Sequence, residues 1–287
     1  MSSGAQFDAA DEEEEHFDVL DARGALTGER RSRSEVHSLG LWHRAVQIWL
    51  WSPWTGGGAA GGWGCGELLL QHRAACKDSW PDRWDISCAG HVSAGDASLP
   101  AALRELGEEL GPAVAALAAG GARLDFLFEH CERMQSTQRG RFFLNHEFND
   151  IYVLAITPAE RAALEPAGGA FALQATEVDA VRWVDFEEVR RMYAEADPAI
   201  VPCHNWPALE RGLFVALRAR RDAAVRAEEA AAAKAAADAG EGRWKDDGGG
   251  NGSGNFDDGD GGGGDDKRDT ATVEGGSGGA AAADATN

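Results

Sequence analysis

The chain has 287 residues, 44 % of them hydrophobic, and no apolar run near the roughly 18 residues of a membrane span, which allows one or two packed domains and excludes a transmembrane helix. Its net charge of −21 excludes the basic footprint of a nucleic-acid binder, but the acid lies mostly at the ends: residues 1–21 hold eight acids and no Lys or Arg, and residues 238–287 hold twelve acids against four bases. The rest carries only about −5, so an anionic ligand must be held there by local cations rather than by a steering field.

Residues 1–16 read as a disordered acidic N-terminus in which Glu12 to Glu15 are a solvating run. They contain no apolar core or early Arg, so neither a signal nor a transit peptide is expected. Cys65, Cys76, Cys88, Cys131 and Cys203 are an odd set without CxxC spacing, which predicts reduced thiols, a cytoplasmic location and no readable zinc site.

Order is expected from Phe17, where FDVLDARGALTGERRSRSEVH offers a short strand, a Gly-containing turn and a second extended piece. Residues 45–51, AVQIWLW, are apolar on both sides and predict a central strand covered on both faces. A Gly-rich loop follows over 56–66, then a strand over 68–71.

Residues 90–111, GHVSAGDASLPAALRELGEELG, form the most informative stretch. A loop of small residues leads to Ser98 as N-cap, with Pro100 tolerated in the first turn of a helix that stops at Gly111-Pro112. Leu99, Ala102, Leu103, Leu106 and Leu110 recur as a buried stripe, while Glu105, Glu108 and Glu109 crowd a neighbouring face at i, i+3 and i+4. Like charges so close call for a cation.

Beyond it, 113–121 read as an Ala/Gly loop, 124–129 as a strand, and 135–141 as a polar, basic loop able to hang over a phosphate site. Residues 142–156 predict a long strand carrying Glu147, whose burial demands a partner. Residues 177–184 end the sheet, Asp185 caps the next helix, and 207–221 close the domain as an amphipathic helix with Leu209, Leu213, Phe214 and Leu217 inward. Residues 222–239 are an Ala-rich helical extension, and 240–287 a Gly/Asp-rich disordered tail.

Gly90, five residues, Asp96, seven residues and then Arg104-Glu105-Leu106-Gly107-Glu108-Glu109-Leu110-Gly111 resemble the Nudix box, a diphosphate-hydrolase signature. Two positions depart from it: Asp96 replaces a Glu, one methylene short for reaching Arg104, and Pro112 replaces an aliphatic residue. The resemblance implies an α/β fold, an α/β/α sandwich around a mixed central sheet, over residues 17–221. It implies Mg²⁺ or Mn²⁺ as cofactor, held by Glu105, Glu108, Glu109, Glu147 and the Gly90 carbonyl, a hard oxygen set. Arg104 then orients Glu105 through Asp96, and Glu105 or Glu147 is the general base. Arg73 and Lys77, within HRAACKDSWPDRWDISCAGHV, match the isomerase-like branch of the superfamily, where such a pair grips a diphosphate. The implied partner is a small-molecule diphosphate, either a prenyl diphosphate or a nucleoside diphosphate derivative, with no nucleic acid and no membrane; a homodimer is left open.

The rival reaction on this fold is isomerisation of isopentenyl diphosphate. Those enzymes resemble this chain at His37, His43, His91, Arg73, Lys77 and Glu147, but they need a cysteine directly before the Gly-His pair, where Ala89 stands. Cys88 is one residue early, which on a strand turns it to the opposite face. Asn145 also stands where they carry a metal-binding Glu, and the box that they commonly degrade is intact. His37 and His43 are therefore expected to make strand-end hydrogen bonds, with His91 open to either role. A third reading, a binding module without catalysis, is disfavoured because a carboxylate cluster without a cation would only destabilise it.

Overall fold

The computed structural model describes residues 14–53, 66–77, 79–120, 123–138, 140–165 and 171–241. The acidic residues 1–13, nearly all of the 56–66 loop and the tail from 242 lie outside them. The chain divides into two compact units, 1–235 and 236–287, and the sheet and the candidate site belong to the first.

The N-terminal lead-in forms β1 (His16–Leu20) and β2 (Leu26–Ser32), an antiparallel pair. The next stretch is helical rather than extended. Ser32 Oγ accepts from the Glu35 backbone N–H while the Glu35 carboxylate accepts from the Ser32 N–H, a capping box that starts α1 (Arg33–Leu39). Gly40 ends it with φ 64°, in the left-handed region.

Strand β3 (Trp42–Ser52) is the centre of the sheet. It runs parallel to β8 (Arg141–Ala155), from Trp42 opposite His146 to Trp51 opposite Ala155, and antiparallel to β6 (Cys88–His91). Antiparallel partners continue outward: β4 (Glu67–Arg73) beside β3, β5 (Trp84–Asp85) and β9 (Val178–Asp185) beside β4, and β7 (Leu124–Gln138) beside β8. The expected mixed sheet is thus formed.

Alternation along β3 puts one apolar set on each face. Val46, Ile48 and Leu50 pack with Ala101, Ala102, Leu106, Leu110 and Val114. Trp49 and Trp51 pack on the other side with Phe186, Val189, Leu209, Leu213 and Leu217. Helices therefore cover both faces: α2 (Ser98–Glu105), the π-turn Leu106–Leu110 and α3 (Pro112–Ala119) on the first, α5 (Phe186–Ala194) and α6 (Trp206–Glu241) on the second. Leu164 of α4 (Pro158–Leu164) joins the first. None of the helices, among the described residues, is long and apolar enough to cross a membrane.

Four local expectations are corrected. Ala97, not Ser98, is the N-cap of α2 and makes no side-chain cap; the Ser98 hydroxyl lies 2.8 Å from Tyr152 Oη instead. Leu99 is 44 % exposed and Ala101 is buried in its place, because the helix enters the core only after its first turn. Residues 112–119 are helix, not loop: Pro112 sits at N1 and alanine, the best helix former, fills every other position but Val114 and Leu117. Residues 135–138 belong to β7 and Arg141 to β8, since the pairing of the two strands runs on to Gln138 opposite Arg141.

Candidate active site

All eight site residues expected from sequence, Arg73, Lys77, Gly90, Arg104, Glu105, Glu108, Glu109 and Glu147, line one cavity of about 670 Å³. Its floor is set by a close approach. A Cβ on Gly90 would stand 2.0 Å from Glu105 Cδ, so the carboxyl group occupies the space of the missing side chain.

The helix carrying the carboxylates changes pitch between them. Gly111 N–H donates to Leu106 O five residues back, and Gly111 takes φ 105°, closing a π-turn. Glu105 and Glu109 are buried while Glu108 stays half exposed. Burial pushes the Glu105 carboxyl up to about 7, against Arg104 and reinforced by Glu109 and Glu108. Burial likewise pushes Glu109 up to about 6, opposed by the Cys88 thiol, Lys77 and Arg73. Glu109 Oε2 is buried without a hydrogen-bond partner. Hard oxygens that repel one another and leave an orphaned atom fit a hard divalent cation.

Arg104 pairs directly with Glu105, at 3.0 Å, rather than through Asp96. Its other carboxylate partner is Glu108 at 3.3 Å, and Nη2 donates to His91 O. The next residue, Glu105, and Glu108 one turn on offer carboxylates within reach, and Asp96 is held in a turn by its N–H to Ser93 O. Arg73 donates to Asp85 at 3.0 Å and to Ser79, and Lys77 pairs with Glu177. Burial, then Arg73, lowers the Lys77 pKa. Both cations thus line the cavity already paired with carboxylates.

Glu147 lies on the histidine side. Donor atoms of His37, His43 and His91 lie within 4.8 Å of one another, and His43 Nε2 and His91 Nε2 are 3.6 and 3.5 Å from Glu147 Oε1. Burial alone would push Glu147 up, but the two imidazoles hold it well below the usual carboxylate range. Burial, then the neighbouring imidazoles of His91 and His43, takes His37 down to about 3. His43, at the start of β3, makes the expected strand-end contact, Nδ1 to Leu41 O, whereas His37 lies on α1 and its Nδ1 reaches across to Leu144 O. A ring nitrogen facing a carbonyl carries a proton, so Nδ1 of each is the donor, while Nε2 of His43 faces Glu147 and Nε2 of His37 is buried without a hydrogen-bond partner.

Cys88 is fully buried on the side of Ala102 and Leu106 and its thiol meets Glu109, whereas Ala89 lines the cavity. The one-residue offset does turn the thiol away. Glu132 also lines the cavity and was not anticipated; it sits directly across the hairpin from Glu147. Continuing the strand period past residue 129 would have found it.

A sequence model of the NUDIX domain matches residues 62–203. The chain is 45 % identical to Nudix hydrolase 3 of Arabidopsis thaliana over 190 residues, 66 % of this chain and 22 % of that protein. It is 38 % identical to an uncharacterised Nudix hydrolase of Clostridium acetobutylicum over 99 residues, 34 % of this chain and 43 % of the other. It is 30 % identical to the isopentenyl-diphosphate Delta-isomerase of Nocardia farcinica over 187 residues, 64 % of this chain and 87 % of that enzyme. The chain thus spans less than half the length of the first two.

Proposed function

The chain belongs to the Nudix family, and on that premise we infer that it is a Mg²⁺- or Mn²⁺-dependent hydrolase that cleaves the diphosphate linkage of a small organic diphosphate, a prenyl diphosphate or a nucleoside diphosphate derivative. The observation that carries this reading is the convergence of Glu105, Glu108, Glu109 and Glu147 with Arg73 and Lys77 on one cavity, with no thiol at Ala89.

Arg73 and Lys77 bind the diphosphate oxygens, exchanging part of their pairing with Asp85 and Glu177 for the anion. Glu105, Glu108, Glu109, Glu147 and the Gly90 carbonyl would hold the cation, which supplies neutralisation of diphosphate charge. Arg104 fixes the Glu105 carboxylate. Glu105 or Glu147 accepts the proton of the water that attacks phosphorus. The separate Glu105→Gln and Glu147→Gln variants distinguish them, since the base variant loses kcat while substrate KM holds.

Isomerisation of isopentenyl diphosphate is the second reading, favoured by the His37, His43, His91 and Glu147 cluster and opposed by Cys88 facing the core. The test is a screen of isopentenyl and geranyl diphosphates, ADP-ribose and nucleotides with Mg²⁺ and Mn²⁺, run in deuterated water. Phosphate or phosphomonoester release without deuterium uptake supports hydrolysis. Deuterium in an intact diphosphate overturns it in favour of isomerisation.

A further inference from the structure

A second group of ligand-type side chains lies away from the box. His130 and Glu132, two apart on β7, face the same way, and the segment ahead of α6 brings Cys203 onto them. One donor atom from each lies within 4.8 Å of the others. The segment is pinned by the His204 N–H donating to Glu132 Oε1 at 3.0 Å and by Asn205 Nδ2 donating to Cys131 O. We propose that His130, Glu132 and Cys203 bind one borderline divalent cation, Zn²⁺ foremost, at the wall of the active-site cavity.

Two independent observations point to a ligand. His130 is 3 % exposed, and its Nε2 is buried without a hydrogen-bond partner. Glu132, 8 % exposed, stands directly opposite Glu147 across the hairpin, a like-charge pair that is unfavourable without a cation. An imidazole, a carboxylate and a thiolate also neutralise a dication together, so the site costs no net buried charge. Burial, then Glu132, holds the Cys203 thiol protonated in the metal-free protein, and coordination would replace that proton.

The donor chemistry separates this site from the box. Oxygen carboxylates select Mg²⁺ or Mn²⁺, whereas a His, Glu and Cys set selects Zn²⁺. Three protein ligands leave a tetrahedral ion one open position. Glu132 and Cys203 line the cavity, so that position would face it. Donors of a tetrahedral Zn²⁺ stand roughly 3.3–3.8 Å apart, within reach by side-chain torsion from the present separation.

Cobalt(II) added to the full chain reads the site directly, because only a thiolate ligand gives a sulfur-to-cobalt charge-transfer band. We expect the band to saturate at one equivalent, to vanish in Cys203→Ser, to weaken at least tenfold in affinity in His130→Gln, and to persist in Glu108→Gln and in Cys131→Ser. A second measurement needs no variant: Zn²⁺ should slow alkylation of Cys203 in the wild type at least tenfold, read by peptide mass spectrometry. No band at excess cobalt, a band that survives Cys203→Ser, or alkylation of Cys203 indifferent to Zn²⁺ would overturn the proposal.

Discussion

At Gly90 the site depends on an atom that is not there. With a Cβ placed 2.0 Å from Glu105 Cδ, Gly90→Ala must displace the carboxyl group or the strand, and kcat is expected to fall on the order of 100-fold while the circular dichroism spectrum holds. Glu109 poses the complementary case, a buried carboxylate with one orphaned oxygen. Glu109→Gln should lower phosphate release about 100-fold and raise the Mg²⁺ concentration for half-maximal rate. Undiminished turnover in chelator would sink the metal mechanism. Cys88 carries the opposite expectation: packed beside Ala102 and Leu106, Cys88→Ser should cost about 1 kcal/mol in denaturant melts and leave turnover within a few-fold.

At the scale of elements, α4 shows how a short helix is fixed by its end. Thr157 Oγ1 accepts from the Glu160 N–H at 3.3 Å and the Glu160 carboxylate accepts from the Thr157 N–H at 2.9 Å, while Arg123 pairs with the same carboxylate. The Arg123 contact, opposed by burial and aided by Thr157, takes the Glu160 pKa from 4.5 down to about 2. A carboxyl whose folded pKa lies below its unfolded one stabilises the fold above the unfolded value, and that contribution is lost as pH falls from 4.5 towards 2. Glu160→Gln should therefore flatten the acid limb of stability in this window, and Thr157→Ala should cost about 1 kcal/mol at neutral pH. Urea melts across the pH series check both. The π-turn shows the reverse dependence: its glycines permit the pitch, but its Leu106 and Leu110, both fully buried, hold it.

For the whole molecule, a cation that binds only the folded carboxylate cluster must raise stability. At a hundredfold excess over its Kd the gain is about 2.7 kcal/mol, so Tm should rise by several degrees with Mg²⁺ and return with chelator. The tail bears on the same measurement. The Gly/Asp-rich composition from residue 242 onward offers little to bury, and its deletion should leave Tm and kcat unchanged. A drop of many degrees would show that it packs.

The spacing from Gly90 to Gly111 by itself pointed to the family and to carboxylates that the fold gathers on one cavity, because box chemistry is written in residue identity at fixed offsets along one helix. AVQIWLW likewise announced a strand buried on both faces, since burial acts residue by residue on a period of two. The capping box of α1 was present in sequence and went unread behind an expected strand. Only the tertiary structure decided what meets across the sheet. Arg104 chose Glu108 over Asp96 because proximity on a helix outweighs a pattern position. The three histidines converge from α1, β3 and β6, and Glu132 faces Glu147 with Cys203 over it, through pairings between residues far apart in the chain. Such contacts are set by strand register and by the path of the closing segment, which no local spacing encodes.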